Sequence, residues 1–117
     1  MRDTNKPLHY IRKNRETEAM IYLKENERKA AQRLFCHIYA ADHNINVLSE
    51  TTSLDEIKDC DVMLIASAPM LTRDEKEYYK IKKELKKKGI KIEIAVNDGN
   101  AERYIDIVTN LHLNRRI

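Results

Sequence analysis

The fold is decided by residues 61–67, which read Asp-Val-Met-Leu-Ile-Ala-Ser. Val62 to Ser67 is the most hydrophobic stretch of the chain, and Asp61 marks its start. A short continuous apolar run is typical of a central parallel strand that is covered on both faces. The sequence therefore predicts a sheet with helices packed on each side of it.

Strand and helix patterns alternate on both sides of this stretch. Three further strands are predicted, at residues 18–24, 45–48 and 90–96. Helical patterns are predicted after Asn26, after Ser53, after Thr72 and over residues 101–111. This β-α-β-α-β-α-β-α order predicts an α/β fold of three layers, a mostly parallel four-stranded sheet with helices on both faces.

The residues at the helix ends and on the helix faces give more detailed expectations. Asn26 is predicted to cap the first helix, and Ser53–Glu56 and Thr72–Glu75 match the capping box. Gly89 is predicted to end the third helix in a left-handed conformation. The helical spacing predicts these inward-facing side chains: Ala30, Ala31, Leu34, Phe35, Ile38, Tyr39, Leu54, Ile57, Tyr78, Ile81, Leu85, Tyr104, Ile105, Val108 and Leu111.

The chain has 117 residues and a formal net charge of +3, which comes from one segment. Residues 1–17 carry five basic and two acidic side chains, whereas residues 18–117 balance 17 of each. We therefore predict a basic N-terminal arm over residues 1–17 and a neutral α/β domain over residues 18–117. The arm is either a solvated tail or a contact for nucleic acid or an acidic partner. Its candidate nucleic-acid-binding residues are Arg2, Lys6, Arg12, Lys13 and Arg15.

Composition excludes several classes of protein. The longest uncharged apolar run, Val62 to Thr72, is far shorter than a membrane span of about 20 residues. The N-terminus lacks the apolar segment of a secretory signal, so we expect a cytoplasmic protein with no membrane partner. With glycine only at positions 89 and 99, no glycine-rich phosphate loop is possible. The two cysteines and four histidines show no metal spacing, so no metal or other cofactor is predicted.

Candidate chemistry is expected at the carboxyl ends of the strands, where open parallel sheets place their sites. A small α/β enzyme of unknown substrate would use Lys24, Ser67, Arg73 and Asp98 there. Ser67 has no histidine near it in sequence, so a turn residue is the stronger interpretation than a nucleophile. Phospho-acceptor chemistry is also poorly supported, because Ala66-Ser67-Ala68 stands where an acceptor aspartate belongs.

Three ordered motifs resemble the N-terminal catalytic domain of serine recombinases, the resolvase/invertase family. Residues 21–26, Ile-Tyr-Leu-Lys-Glu-Asn, are similar to the family's opening strand Tyr-x-Arg-x-Ser, and a helix containing Gln32 follows. Residues 69–73, Pro-Met-Leu-Thr-Arg, resemble its Asp-Arg-Leu-Ser-Arg segment. Residues 85–92, Leu-Lys-Lys-Lys-Gly-Ile-Lys-Ile, resemble its Leu-x-x-x-Gly-Val-x-Ile. The resemblance spans residues 18–96 and implies a role in DNA recombination.

The departures fall on the positions that the resemblance assigns to catalysis, which are Lys24, Asn26, Met70 and Arg73. Asn26 takes the place of the nucleophilic serine, and an amide cannot form the phosphoester link. Lys24 replaces an arginine and keeps the charge without the bidentate fork. Pro69 and Met70 replace an Asp-Arg pair, and the arginine of the family's mobile loop is absent, since that loop is shortened to residues 50–52.

The sequence thus predicts a recombinase-like domain that does not cleave DNA. Such a domain would act in or regulate the recombination of a mobile element through protein contacts, as a homodimer or as the partner of an active recombinase. The alternative is a nucleic-acid-associated accessory protein that uses the basic arm to bind DNA. A second basic patch would then be formed by Lys80, Lys82, Lys83, Lys86, Lys87 and Lys88, although a solvated helix face is the stronger interpretation of these lysines.

Overall fold

A computed structural model of the chain describes residues 16–114. The chain forms four strands, three α-helices and two short 3₁₀ turns in that range. They are β1 (Thr17–Tyr22), α1 (Lys29–Asp42), β2 (Ile45–Thr51), a 3₁₀ turn (Leu54–Glu56), β3 (Val62–Ile65), a second 3₁₀ turn (Ala68–Met70), α2 (Glu75–Lys87), β4 (Lys91–Ile94) and α3 (Ala101–Asn114).

The four strands form one sheet in the order β2-β1-β3-β4, and every neighbouring pair is parallel. β3 is an inner strand, and all four of its residues are buried. The prediction made from residues 62–67 is therefore confirmed. β1 and β2 change register between Ala19 and Met20, where Leu48 is left out of the pairing.

The helices cover both faces of the sheet, so the predicted three-layer α/β architecture is confirmed. On one face α1 and α3 pack over a cluster that includes Ile21, Leu64 and Ile105. On the other face α2 packs over a cluster that includes Met63, Ile65 and Leu85. Side chains of successive strand residues point to opposite faces, so the apolar run of β3 contributes to both clusters.

The starts of the helices differ from the sequence predictions. α1 begins at Lys29, and Asn26 does not cap it: its side chain accepts from the backbone N–H of Arg28 in the preceding turn. Ser53 makes no side-chain cap, because Glu56 is bonded to Thr51 instead. Asp74 rather than Thr72 caps α2, by accepting from Lys76 N–H. Among these three elements only α2 has a side-chain cap, and a different residue from the predicted one supplies it.

Four side chains that the helical spacing predicted to face inward are largely exposed: Leu34, Ile38, Tyr104 and Leu111. The buried face of α1 consists instead of Ala31, Gln32, Cys36 and Ala40. Most of these side chains are small, so the helix backbone can approach the sheet closely. α1 is therefore rotated away from the orientation that its large apolar residues predict.

The predicted end of α2 at Gly89 is confirmed. Gly89 has φ +76° and donates its N–H to the carbonyl of Lys86, while Ile90 N–H donates to the carbonyl of Leu85. These two bonds define a Schellman motif, and Ile90 and Leu85 share one apolar cluster as that motif requires. β4 begins at Lys91, two residues after Gly89.

Between residues 16 and 114, no helix combines the length and apolar character needed to cross a bilayer. Residues 1–15 of the predicted basic arm, with all five candidate nucleic-acid-binding residues, lie outside the described part of the chain, whereas Thr17 belongs to β1.

Candidate functional site

The turn between β1 and α1 is held by one buried side chain, Gln32. Its Oε1 accepts from Lys24 N–H at 2.8 Å, and its Nε2 donates to the Lys24 carbonyl at 3.0 Å. The same Nε2 donates to Asn26 Oδ1 at 3.1 Å. Gln32 has no exposed surface, so its amide replaces the water that these groups would otherwise bind. The backbone at the carboxyl end of β1 is thereby fixed.

Asn26, which the resemblance assigns to the nucleophile's position, is a structural acceptor in this turn. Its Oδ1 takes hydrogen bonds from Gln32 Nε2 and from the backbone N–H of Arg28, the latter at 2.8 Å. Its own carbonyl accepts from Lys29 N–H. A carboxamide does not lose a proton near neutral pH, and its oxygen is a weak nucleophile.

Lys24 and Arg73 line one open cleft of about 440 Å³ on the α2 side of the sheet. The other lining residues are Tyr22, Leu54, Pro69, Leu71, Thr72, Glu77 and Ile81. Asn26 is not among them, because its side chain is turned toward α1. The structure therefore brings together two of the four family-equivalent positions and separates the third.

Met70, the fourth family-equivalent position, is a core residue. It is 2% exposed and packs in the cluster beneath α1 and α3. The motif resemblance assigns an arginine to this position, whereas the structure has an apolar side chain packed in the core. A thioether buried in this way can neither bind nor neutralise a phosphate.

Glu102 of α3 neutralises Arg73. The guanidinium Nη2 lies 2.5 Å from Glu102 Oε1, and Nη1 makes a longer bond to Oε2 of the same carboxylate. The hydrogen bond and the charge of Glu102 raise the pKa of Arg73. An incoming anion would have to compete with this carboxylate for the guanidinium.

A second arginine is engaged by the same helix. Arg28, in the turn after β1, places Nε 2.5 Å from Asp106 Oδ1. Asp106 follows Glu102 by one helical turn, so α3 presents two carboxylates in a row to two strand-end loops. These two pairs were missed from the sequence. Acids at positions i and i+4 of a predicted helix were the available signal, but nothing indicated which cations they meet.

Among the described residues of the cleft, Lys24 forms no ion pair. Glu77 offers a carboxylate there and accepts a hydrogen bond from Thr72 Oγ1 at 2.6 Å. Burial, with a smaller contribution from Glu77, raises the pKa of Tyr22, so its hydroxyl stays protonated at neutral pH. The cleft thus contains a lysine, a neutral phenol and a carboxylate, without an activated nucleophile.

Ser67 and Asp98, the remaining residues of the small-enzyme hypothesis, do not line this cleft. Ser67 is 1% exposed, and its Oγ has no hydrogen-bond partner in the described part of the chain. Asp98 precedes α3, where its Oδ1 accepts from Asn100 N–H at 2.7 Å. Within residues 16–114, no group of three histidine, cysteine or acidic side chains is arranged to hold a metal.

No family model and no curated protein matches the sequence. Among solved structures, the C-terminal catalytic domain of ISC1926 TnpA, an IS607-like serine recombinase, is similar. The two share 20% identity with a TM-score of 0.55, and the match covers 80% of each chain. The fold is that of a serine recombinase catalytic domain. At this identity the likeness concerns the fold, and the fold expectation drawn from the three motifs is confirmed.

The recombinase-like fold and its strand-end residues can now be compared. The four positions that the motif resemblance assigns to catalysis hold side chains with different structural roles. Asn26 is a turn acceptor, Met70 is core, and Arg73 is paired with Glu102. Lys24 is the one family-equivalent position whose charge faces the cleft without an ion pair among the described residues.

Proposed function

We propose that this chain is a recombinase-like module that does not cleave DNA and that acts in or regulates DNA recombination through protein contacts. The observation that carries the proposal is the state of Asn26. Its amide occupies the nucleophile's position and is bound by Gln32 and by the Arg28 N–H. Attack on a phosphate requires a nucleophilic side chain at that point, and a carboxamide is a poor nucleophile.

The charges around the cleft support the same proposal. Cleavage of a phosphodiester develops negative charge, and fixed cations that stabilise this charge usually supply a large part of the catalysis. Here Arg73 and Arg28 are bound by Glu102 and Asp106. Lys24 alone is a poor substitute for a set of arginines, since an ammonium group lacks the planar fork that binds two phosphate oxygens.

The proposed role in recombination is based on the fold shared with the IS607-like enzyme. The proposed action through protein contacts is based on exposed apolar side chains. Leu34 and Ile38 on α1 and Ile107 and Leu111 on α3 are each between 46% and 59% exposed. Apolar side chains at helical spacing on two adjacent helices are typical of an interaction surface. A homodimer or a complex with an active recombinase would cover them.

The nucleic-acid-associated alternative stays a prediction for the arm. The lysines of α2 are exposed, as both interpretations of the second basic patch require. The small-enzyme alternative loses its support, because only Lys24 and Arg73 of its four residues share a cleft.

The test of the cleavage claim is incubation of the full chain with supercoiled plasmid in the presence of EDTA. An active serine recombinase on its own substrate serves as the positive control. We expect no nicked or linear product from the wild-type chain or from Asn26→Ser, because the variant restores a hydroxyl but no arginine cluster. Nicking by the wild-type chain would contradict the proposal. Nicking by Asn26→Ser alone would show that a single substitution separates this chain from catalysis.

A further inference from the structure

β4 is an edge strand with one row of free main-chain groups. Lys91 N–H donates to the Asp61 carbonyl and Ala95 N–H donates to the Ile65 carbonyl, so these odd-numbered residues bond toward β3. In a parallel pair, main-chain groups alternate in direction along the strand. The N–H and C=O groups of Ile92 and Ile94 therefore point to the outer edge. Among residues 16–114, no strand pairs with that edge.

A groove of about 480 Å³ runs beside this edge. Its lining comes from the last turns of α2, from the Gly89 turn and from the start of β4. The residues are Lys82, Lys86, Gly89, Ile90, Lys91 and Ile92. Ile90 and Ile92 belong to the apolar cluster under α2, so the floor of the groove is hydrocarbon. The rim is formed by three lysines.

The three lysines are exposed, and none of them has an ion-pair partner in the described part of the chain. The nearest ion pair along α2 joins Lys87 to Glu84, at 3.7 Å, outside the groove. Ile92 faces α2, so its neighbour Lys91 faces the opposite side of the sheet. On the α2 face, an acidic side chain of a segment lying along β4 would meet Lys82 or Lys86. On the opposite face it would meet Lys91, next to Glu93, which accepts a hydrogen bond from the Tyr39 hydroxyl.

We propose that the β4 edge groove binds an extended acidic segment of a partner protein, which adds to the sheet as a fifth strand. Strand addition satisfies the free main-chain groups of Ile92 and Ile94 and places alternate side chains over Ile90 and Ile92. The lysine rim selects for aspartate and glutamate in that segment. The proposal rests on the proposed function only in that both invoke protein contacts.

Charge complementarity argues against the other candidate occupants. A second copy paired edge to edge would bring two sets of three lysines along one seam, and like charges so placed repel. The predicted N-terminal arm is itself basic, with net charge +3 over residues 1–17. Duplex DNA would suit the lysines, but its phosphates can only accept hydrogen bonds and so leave the C=O groups of an edge strand without donors.

The experiment uses the full chain and a fluorescent eight-residue peptide of alternating glutamate and valine. Binding is followed by anisotropy, and amide hydrogen exchange is followed residue by residue. We expect saturable binding together with slower exchange of the Ile92 and Ile94 amides. Lys82→Glu/Lys86→Glu should weaken binding by about ten-fold or more, an ordinary effect for reversing two contact charges. The control Lys83→Glu/Lys87→Glu makes the same change at the same helical spacing outside the groove.

Two control peptides distinguish strand addition from nonspecific electrostatic attraction. A peptide of alternating lysine and valine should not bind, and proline in place of two valines should abolish binding because main-chain donors are lost. The proposal is overturned by equal weakening in both lysine variants, by undiminished binding of the proline peptide, or by no binding at low salt. It is also overturned if the Ile92 and Ile94 amides are already protected in the free chain, or if a DNA duplex binds with the same dependence on Lys82 and Lys86. Peptide binding and amide exchange do not depend on DNA cleavage, so a positive plasmid assay would not change their outcome.

Discussion

At the scale of single residues, Gln32 is the side chain on which the site depends. Its one amide satisfies the N–H and the C=O of Lys24 and also reaches Asn26, and it does so without contact to solvent. The sequence showed a glutamine in the first helix, but it could not show that the side chain reaches back over the preceding turn. Buried polar contacts of this kind depend on where the backbone of the turn runs.

Replacing Gln32 should destabilise the fold. Gln32→Ala leaves the Lys24 N–H and C=O without partners, and we expect the free energy of unfolding to fall by about 2–3 kcal/mol. Chemical denaturation at constant protein concentration measures this change. In the matched variant Gln32→Glu the carboxylate keeps the acceptor but faces the Lys24 carbonyl and Asn26 Oδ1. Gln32→Glu should lower the free energy of unfolding more at neutral pH, where the carboxylate is charged, than in mildly acidic buffer. A loss that does not change with pH would contradict the assigned orientation of the amide.

Cys36 should be unreactive in the folded chain. It has no exposed surface, and burial, with the charge of Glu50, raises the pKa of its thiol to about 12. A thiol reacts with disulfide reagents through its thiolate, which is then scarce near neutral pH. In a Cys60→Ala variant, we expect no labelling of Cys36 by a disulfide reagent until denaturant is added. Rapid labelling under native conditions would show that α1 separates readily from the sheet.

At the scale of elements, the sequence predicted the strands and the end of α2 better than the helix starts. The strand signal comes from continuous apolar runs, and the Gly89 signal comes from a backbone conformation that other residues adopt at a cost. Helix starts depend on which of several nearby oxygen atoms reaches the free N–H groups. Asn26, Ser53 and Thr72 were all plausible caps, and local geometry favoured other side chains or another start.

Substitution of Gly89 should be costly for a purely conformational reason. Its φ is +76°, and a Cβ added there would meet no atom within 4 Å. Gly89→Ala should therefore lower the free energy of unfolding by about 1 kcal/mol through backbone strain alone. Gly89→Asn should lower it less, since asparagine tolerates the left-handed region better. Thermal unfolding of the two variants checks the order, and an equal cost for both would argue against strain as the cause.

Glu50 should make the contact between α1 and β2 sensitive to acid. Burial alone would raise the pKa of Glu50, but hydrogen bonds and charge from His37 and Arg33 outweigh burial and hold this pKa below its ordinary value. A lowered pKa stabilises the fold above the ordinary value of about 4.3, and this contribution is lost as the pH falls through the folded-state value. Denaturation from neutral to acidic pH should show a steeper loss for the wild type than for Glu50→Gln. Parallel curves would contradict this assignment.

At the scale of the whole molecule, the order of apolar runs was sufficient to predict the three-layer architecture, since strands that alternate with helices have few arrangements available. The site was less predictable. Lys24 and Arg73 are far apart in sequence and meet in one cleft, as expected of two strand ends. The pairing of Arg28 with Asp106 and of Arg73 with Glu102 was not foreseen, because it depends on how α3 lies across the sheet.

The central claim is that a serine recombinase fold is present without the chemistry of DNA cleavage. The most direct measurement is the mass of the intact chain after incubation with supercoiled plasmid, a denaturing quench and complete nuclease digestion. A cleaving recombinase would retain a nucleotide on its nucleophile through a phosphoester bond. The account predicts an unchanged mass for the wild-type chain, with the added nucleotide seen only in an active recombinase treated in parallel. A nucleotide adduct on any residue of this chain would contradict it.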